Sequence, residues 1–222
     1  MTPAAFSSTM HAMRSILRPA LRLAAVCAIA AACSGVACAA KTVLVFGDSL
    51  SAAYGMPARL GWVALLEERL KRERPDYNVV NASISGETTA GGLARIGKVL
   101  EREKPAVLIL ELGSNDGLRG LPVAAMKKNM AAIIERSQKA GAKVLLVGMR
   151  LPPNYGEDYA KAFERAFTDL AKSHRTALLP FLLEGFGDKA ELFQADRIHP
   201  TEAAQPGVLK NVRQPLAPLL GK

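Results

Sequence analysis

Hydrophobic residues along the chain fall into two alternating patterns. Short, mostly apolar runs predict buried strands, and they lie at 42–46, 77–82, 106–111, 143–148 and 176–179. Between them, apolar residues recur at a spacing of three or four and predict helices. We expect helices over about 61–74, 123–139 and 157–173, one marked by Leu93, Ile96, Val99 and Leu100, and a last one over about 206–214. Pro206 supports the last, because proline suits a first helical turn.

Strands that alternate with helices predict an α/β fold, a parallel sheet with helices on both faces. The 222 residues suffice for one domain with a full core. Ligands of such sheets bind beyond the carboxyl ends of the strands. Glycines and small polar residues gather there, in Gly47-Asp48-Ser49, Ser83-Ile84-Ser85-Gly86 and Gly113-Ser114-Asn115-Asp116. One such group is an ordinary turn, but three together predict a functional site at this edge.

Residues 1–40 differ from the rest of the chain. They carry Arg14, Arg18 and Arg22 but no acidic residue, followed by a short apolar stretch over 23–33 and an Ala-x-Ala pattern at 37–39. This order is typical of a secretory signal peptide. It predicts a mature domain over 41–222 that is periplasmic or secreted. A membrane anchor is the alternative, although the apolar stretch is too short to span a bilayer comfortably.

Cysteine content and net charge limit the kinds of site and partner that the sequence predicts. All three cysteines, at 27, 33 and 38, lie within the predicted leader, so a mature chain would have no cysteine nucleophile and no thiolate metal site. Loss of three arginines with the leader would lower the net charge from +9 to +6. This surplus favours transient contact with an anionic membrane surface. Because basic residues are interspersed with acidic ones, as in Glu67-Glu68-Arg69, we expect no nucleic-acid partner.

Ser49, directly after the first predicted strand, is the candidate nucleophile. A serine nucleophile needs a base, and the base usually needs an orienting carboxylate. Outside the leader only His174 and His199 are available, and His174 ends a predicted helix, where its role is structural. His199 lies three residues after Asp196 and directly before Pro200, which disfavours helical geometry. We therefore expect a turn in which Asp196 reaches the imidazole, although this pair alone also fits a metal site or a helix cap.

Donors for a developing oxyanion would complete the site. The candidates are the backbone N–H groups of Ser49 and Gly86 and the side-chain amide of Asn115. The chain contains no G-x-S-x-G, no phosphate loop, no dinucleotide glycine fingerprint and no histidine-rich metal motif. The absence of G-x-S-x-G excludes the nucleophile elbow of the α/β-hydrolases.

Four motifs, in order, resemble the four blocks of the SGNH (GDSL) hydrolases: Gly47-Asp48-Ser49-Leu50, Gly86, Gly113-Ser114-Asn115-Asp116 and Asp196-Arg197-Ile198-His199. The segments NASISGET, ELGSNDGLRG, RLPPNYG and DRIHP are similar to the periplasmic thioesterase I/protease I/lysophospholipase L1 subgroup. The resemblance implies a flavodoxin-like three-layer α/β/α fold with a five-stranded parallel sheet, and a mechanism without metal or cofactor. It also implies that Ser49 is the nucleophile, His199 the base and Asp196 its orienting carboxylate, with Gly86 and Asn115 in the oxyanion hole.

These observations predict an exported serine hydrolase that cleaves esters and thioesters with apolar acyl chains, from small molecules or lipids, through an acyl-Ser49 intermediate. We expect Leu118, Leu121, Leu151 and Pro152, in the loops beside the site, to line a groove for the acyl chain. The alternative for each is packing of its loop onto the sheet. Within the same fold, an arylesterase, an acetylesterase or a carbohydrate deacetylase is the main alternative. Outside this class, the alternative is a binding module that keeps the fold without catalysis.

Overall fold

The computed structural model describes residues 40–221. Its five strands are β1 (Lys41–Gly47), β2 (Tyr77–Asn81), β3 (Val107–Glu111), β4 (Lys143–Val147) and β5 (Ala177–Leu179). Its six α-helices are α1 (Trp62–Glu73), α2 (Thr89–Glu103), α3 (Ser114–Leu118), α4 (Val123–Lys139), α5 (Glu157–His174) and α6 (Gln205–Leu216). Short 3₁₀ turns lie at 58–60, 153–155, 190–192, 202–204 and 217–220. None of the helices between residues 40 and 221 is long and apolar enough to cross a bilayer.

The five strands form one parallel sheet in the order β2-β1-β3-β4-β5. In the register, Val43 of β1 lies between Val79 of β2 and Val107 of β3. The apolar runs at 43–46 and 107–110 are completely buried, as expected of central strands covered on both faces. Because β1 and β3 are neighbours, the segments that follow them meet at the same edge of the sheet. The predicted five-stranded parallel α/β fold is confirmed.

Helices cover the sheet in two layers. Helix α4 contacts both α2 and α5, whereas α1 contacts α6. Helix α5 is amphipathic, and its apolar face buries Phe163, Phe167 and Leu170. The result is the three-layer α/β/α arrangement that the sequence resemblance implied.

Two elements differ from the sequence prediction. A one-turn helix, α3, replaces the loop expected after β3, and it starts directly after Gly113, whose φ of 112° lies in the left-handed region that favours glycine. The last helix continues to Leu216, past the expected end near 214. Burial of Val208, Val212 and Leu216 explains this extension, since a spacing of four places all three on one face.

Candidate active site

Ser49 lies just beyond the carboxyl end of β1, in a tight turn. The backbone carbonyl of Asp48 accepts hydrogen bonds from the N–H groups of Ser51 (3.3 Å) and Ala52 (3.0 Å), and the Asp48 Oδ1 accepts one from the Leu50 N–H at 3.0 Å. The indole Nε1 of Trp62, at the start of α1, donates to the Leu50 carbonyl at 3.1 Å. These bonds hold the turn rigidly while Ser49 itself stays half-buried.

The structure brings together the three residues that the sequence predicted as nucleophile, base and carboxylate. The Nε2 of His199 lies 2.8 Å from the Oγ of Ser49, across 150 residues of chain. On the opposite side of the ring, Nδ1 lies 2.7 Å from the Oδ2 of Asp196. A serine hydroxyl in hydrogen-bond contact with an imidazole, itself oriented by a carboxylate, has the geometry required for nucleophilic catalysis.

Asp196 also shapes the turn that carries His199. Its Oδ1 accepts hydrogen bonds from the N–H groups of Ile198 (2.9 Å) and His199 (3.0 Å). Partial burial opposes ionisation, but these N–H groups and the imidazole outweigh it and lower the pKa of Asp196 to about 2. The carboxylate therefore stays charged throughout the neutral and mildly acidic range, where it can orient a neutral imidazole and stabilise a protonated one.

Two glutamines tie the His199 turn to the rest of the site. The backbone N–H of Gln194 donates to the His199 carbonyl at 2.8 Å, and its side-chain Nε2 donates to the Tyr54 carbonyl at 2.8 Å. The buried Gln205 accepts from the Trp62 N–H at 3.0 Å and donates to the Thr201 carbonyl at 3.3 Å. Neither glutamine was predicted from the sequence, since nothing in their spacing identifies a contact over more than 100 residues.

Tyr54 is a further residue at the site that the sequence analysis missed. Its ring stacks at an angle of 37° against the His199 imidazole, with centroids 4.5 Å apart, yet the residue remains 50% exposed. Its position five residues after Ser49 was the available signal, because residues this close to the nucleophile share its turn.

The two other predicted oxyanion donors lie near Ser49. The Nδ2 of Asn115, in the first turn of α3, donates to the Oδ2 of Asp48 at 3.1 Å. That bond uses one of the two amide hydrogens and leaves the second for a ligand. Gly86 is exposed and has a φ of 78°, which explains why glycine occupies it. Within the described residues, no protein acceptor takes the backbone N–H of Ser49 or of Gly86, so both remain available.

A pair of buried carboxyl groups lies beneath the nucleophile turn. Asp48 and Glu111 are both fully buried, and the Oε2 of Glu111 accepts from the Asp48 N–H at 3.2 Å and from the Ser51 hydroxyl at 2.7 Å. Burial raises the pKa of Asp48 to about 6, against the opposing effect of its hydrogen bonds to Leu50 and Asn115. Burial, and then the charge of Asp48, raise the pKa of Glu111 well above its usual range. Ionisation of this buried pair is therefore favoured at Asp48, whose carboxylate accepts hydrogen bonds from Leu50 and Asn115, over Glu111.

A third buried carboxyl group, that of Asp116, fixes the helix that carries Asn115. Asp116 accepts hydrogen bonds from the backbone N–H (2.8 Å) and the hydroxyl (2.6 Å) of Thr89, at the start of α2. The Nδ2 of Asn129, from α4, donates to the same hydroxyl at 3.1 Å. Because three helices meet in this network, α3 is held in one position relative to the sheet, and Asn115 with it.

A cavity of about 960 Å³ opens beside Ser49. Leu118, Leu151 and Pro152 line it as predicted, but Leu121 is not among the described residues that do. Leu121 is 39% exposed, and it follows Gly120, whose φ of 65° turns the chain there. The structure therefore places Leu121 outside the cavity wall that the sequence predicted for it. Further apolar residues complete the wall: Leu50, Tyr54, Met149, Phe181, Leu183, Phe193 and Ile198.

Comparison with known proteins identifies the family. A model of the GDSL-like Lipase/Acylhydrolase family matches residues 45–205. Esterase TesA of Pseudomonas aeruginosa is 54% identical over 182 residues, which cover 82% of this chain and 90% of that protein. The Escherichia coli thioesterase 1/protease 1/lysophospholipase L1 is 41% identical over 184 residues (83% and 87% covered). An arylesterase of Vibrio mimicus is 40% identical over 178 residues (80% and 89% covered).

The fold comparison agrees with the sequence comparison. A crystal structure of TesA, 54% identical, matches with a TM-score of 0.79 over 81% of this chain and 99% of that chain. This protein therefore belongs to the GDSL-like lipase/acylhydrolase family and is a serine carboxylic ester hydrolase.

Proposed function

We propose that this enzyme is an exported esterase that cleaves carboxylic esters and thioesters with apolar acyl chains through an acyl-Ser49 intermediate. The observation that carries the mechanism is the 2.8 Å contact between His199 Nε2 and Ser49 Oγ. This contact lets the imidazole take the hydroxyl proton as the oxygen attacks.

The reaction has two halves. Ser49 Oγ bonds to the acyl carbon while His199 takes its proton, and the tetrahedral intermediate then expels the alcohol or thiol, which receives that proton from His199. In the second half a water molecule, deprotonated by His199, attacks the acyl carbon. The bond between that carbon and Ser49 Oγ then breaks, Ser49 takes the proton back from His199, and the carboxylic acid is released. The ionised Asp196 stabilises the imidazolium in both halves, without itself accepting a proton.

Three donors would stabilise the negative charge on the carbonyl oxygen. They are the N–H groups of Ser49 and Gly86 and the second amide hydrogen of Asn115. Each such donor typically contributes a factor of about 10²–10³ in kcat. Asp48 orients the Asn115 amide for this role. A carboxylate can only accept a hydrogen bond, so Asp48 faces the Nδ2 of Asn115 and not its amide oxygen.

The shape and lining of the cavity support an apolar acyl chain. Leu118 ends α3, Leu151 and Phe181 lie in the loops after β4 and β5, and all three line the same cavity. Each buried CH₂ group of the acyl chain adds up to about 0.8 kcal/mol. We therefore expect kcat/KM to rise from acetyl to medium-chain esters and then to level off.

An arylesterase is the second candidate, and Tyr54 is the observation that favours it. Its half-exposed ring lies against His199, the residue that would protonate the leaving group, so an aromatic leaving group could stack there. The arylesterase of Vibrio mimicus is also among the relatives. Hydrolysis that is fastest on aryl acetates, and insensitive to acyl length, would favour this candidate. An acetylesterase or a carbohydrate deacetylase would instead be fastest on non-aromatic acetates.

Export and membrane contact rest on the sequence. The proposed signal peptide, residues 1–40, lies outside the described residues except for Ala40. Mass spectrometry of the protein recovered from the periplasm or medium should find a first residue near Ala40 or Lys41, whereas an intact Met1 or a lipidated Cys33 or Cys38 would contradict export by this route. The net charge of +6 that remains favours transient contact with anionic lipid.

An activity-based probe tests the nucleophile directly. A fluorophosphonate should label the wild-type protein, and neither Ser49→Ala nor His199→Ala should be labelled at a comparable rate. Ser51→Ala, a neighbouring serine that donates to Glu111, serves as the matched control and should still be labelled. Failure of the wild-type protein to react would favour a binding module instead of an enzyme with an activated serine.

A further inference from the structure

Arg197 has an unusual backbone conformation directly beside the catalytic residues. Four non-glycine residues in the described part of the chain have a positive φ: Ala53, Lys104, Arg175 and Arg197. Lys104 and Arg175 are the C-caps of α2 and α5, where a left-handed residue ends a helix in the ordinary way. Arg197 ends no helix. Its φ of 57° is imposed on a residue type that adopts this region at a cost.

The surrounding hydrogen bonds hold Arg197 in this conformation. Its own N–H donates to the Gln194 carbonyl at 2.9 Å, and the next two N–H groups donate to Asp196. Glycine would satisfy the same backbone bonds without strain. Strain retained at a site is a reason to look for a role of the side chain.

Arg197 is exposed and is one of the residues that line the cavity. Among residues 40–221 its guanidinium takes part in no salt bridge and no hydrogen bond, since the neighbouring carboxylate of Asp196 pairs with His199 instead. The other arginine of the cavity wall differs, because Arg150 pairs with Glu164 at 3.0 Å and lies 3.6 Å from Glu184. Lys189 also lines this space and, among residues 40–221, takes part in no salt bridge either, but it is not adjacent to the catalytic turn in the chain. Arg197 is therefore the cavity arginine whose charge is free for a ligand.

The position of Arg197 indicates which part of a substrate it would meet. His199, two residues further on, gives its proton to the departing oxygen or sulfur in the proposed mechanism, so the leaving group must lie against the 196–199 turn. The acyl chain would occupy the apolar wall formed by Leu118, Leu151 and Phe181. Arg197 thus belongs to the leaving-group side of the site.

We propose that Arg197 is a specificity-determining residue that binds a phosphate on the leaving group of the substrate. The proposal rests on the proposed function and adds the recognition of the alcohol or thiol part. A guanidinium is always charged and presents a planar set of N–H donors that matches phosphate oxygens. The phosphate could belong to a lysophospholipid headgroup or to an acyl-coenzyme A, and the two share the chemistry that Arg197 would recognise.

Matched substrate pairs test this proposal and distinguish the two sources. In the ester pair, 1-decanoyl-glycerol-3-phosphate is compared with 1-decanoyl-glycerol. In the thioester pair, decanoyl-coenzyme A is compared with decanoyl-N-acetylcysteamine, and all substrates are kept below their critical micelle concentrations. The quantity measured is the ratio of kcat/KM for the phosphate-bearing member to that for the neutral member.

Arg197→Gly and Arg197→Gln should lower this ratio about tenfold in at least one pair, the loss typical of one charged hydrogen-bond contact. Raising the salt concentration should lower the wild-type ratio but leave the variants' ratios nearly unchanged. Arg175→Gly is the matched control. It removes the same charge from the same left-handed conformation, at the C-cap of α5, and its ratio should stay at the wild-type value.

Stability separates the role in binding from a role in folding. Because glycine adopts a positive φ without strain, the Tm of Arg197→Gly should be no lower than that of the wild type. A ratio unchanged in both Arg197 variants, or lowered equally by Arg175→Gly, would overturn the proposal. If the wild-type enzyme cleaves none of the four substrates, the proposed function itself is wrong, and the two failures are thereby distinguished.

Discussion

Asp48 lies under the nucleophile turn, and its replacement by asparagine tests how the oxyanion site is built. The substitution exchanges one carboxylate oxygen for an NH₂ group of similar size. The oxygen that remains can still accept from the Leu50 N–H, as Oδ1 now does at 3.0 Å. The new NH₂ group would then face the Nδ2 of Asn115, which now donates to Oδ2 at 3.1 Å, so two donors would meet.

Rotation of the Asn115 amide relieves this conflict at the expense of catalysis. After a 180° turn the amide oxygen accepts from residue 48, but the same turn aims an acceptor, instead of an N–H, at the developing oxyanion. Loss of one such donor lowers kcat by about 10²–10³. We expect Asp48→Asn to lose at least this factor with a nearly unchanged KM.

The same substitution should make the protein more stable relative to wild type as pH rises. Burial raises the folded-state pKa of Asp48 from 3.8 to about 6, so the native state binds this proton more tightly than the unfolded chain. Stability is therefore lost as pH rises from about 4 to about 6, by on the order of 3 kcal/mol. Asparagine does not titrate. Between pH 4 and pH 7, the free energy of unfolding of Asp48→Asn should rise relative to wild type by roughly this amount.

Urea unfolding at several pH values and initial rates on p-nitrophenyl butyrate measure both effects. Glu111→Gln is the matched control, because it neutralises the other member of the buried pair and keeps an oxygen for the Asp48 N–H and the Ser51 hydroxyl. Since burial and the charge of Asp48 raise the pKa of Glu111 well above its usual range, the Glu111→Gln variant should keep its kcat within a few-fold of wild type. An Asp48→Asn enzyme with wild-type kcat would contradict this role of Asp48 at the oxyanion site, and a stability difference that does not vary with pH would contradict its raised pKa.

Three further predictions concern the nucleophile, the oxyanion donor and the acyl groove. Ser49→Ala and His199→Ala should each lower kcat by several orders of magnitude, and the double variant should be little worse than either one, because the two act as a unit; losses that multiply in steady-state assays would contradict this. Asn115→Ala should cost about 3 kcal/mol in kcat with KM unchanged, and a variant that differs only in KM would place Asn115 in ground-state binding. Leu118→Ala should flatten the rise of kcat/KM with acyl length on p-nitrophenyl esters, whereas the same change at Leu121, outside the cavity wall, should not, and equal effects at both positions would contradict the assigned wall.

Much of this molecule follows from local patterns in the sequence. The runs at 42–46 and 106–111 have the continuous apolar character of strands buried on both faces, and the structure places them at the centre of the sheet. Since parallel strands share one carboxyl edge, the motifs that follow them had to lie together, which is why Ser49 and Asn115 could be predicted as neighbours. His199 could be chosen because only two histidines follow the leader. These predictions depend only on a parallel arrangement of the strands and require no interatomic distance.

Contacts between distant segments required the tertiary structure. The Asp48–Asn115 bond, the stacking of Tyr54 on His199 and the clamp made by Gln194 join segments that are 67, 145 and 140 residues apart. No periodicity encodes such pairs, because each depends on how two loops enter the same space. Leu121 is an example of a local pattern that did not determine position. Its apolar character predicted a groove residue, but the left-handed turn at Gly120 leaves it outside the cavity wall. The sequence by itself determined which residue types reach the catalytic edge, through strand and helix periodicity, whereas side-chain packing across β1, β3 and the 196–199 turn decided which of them touch.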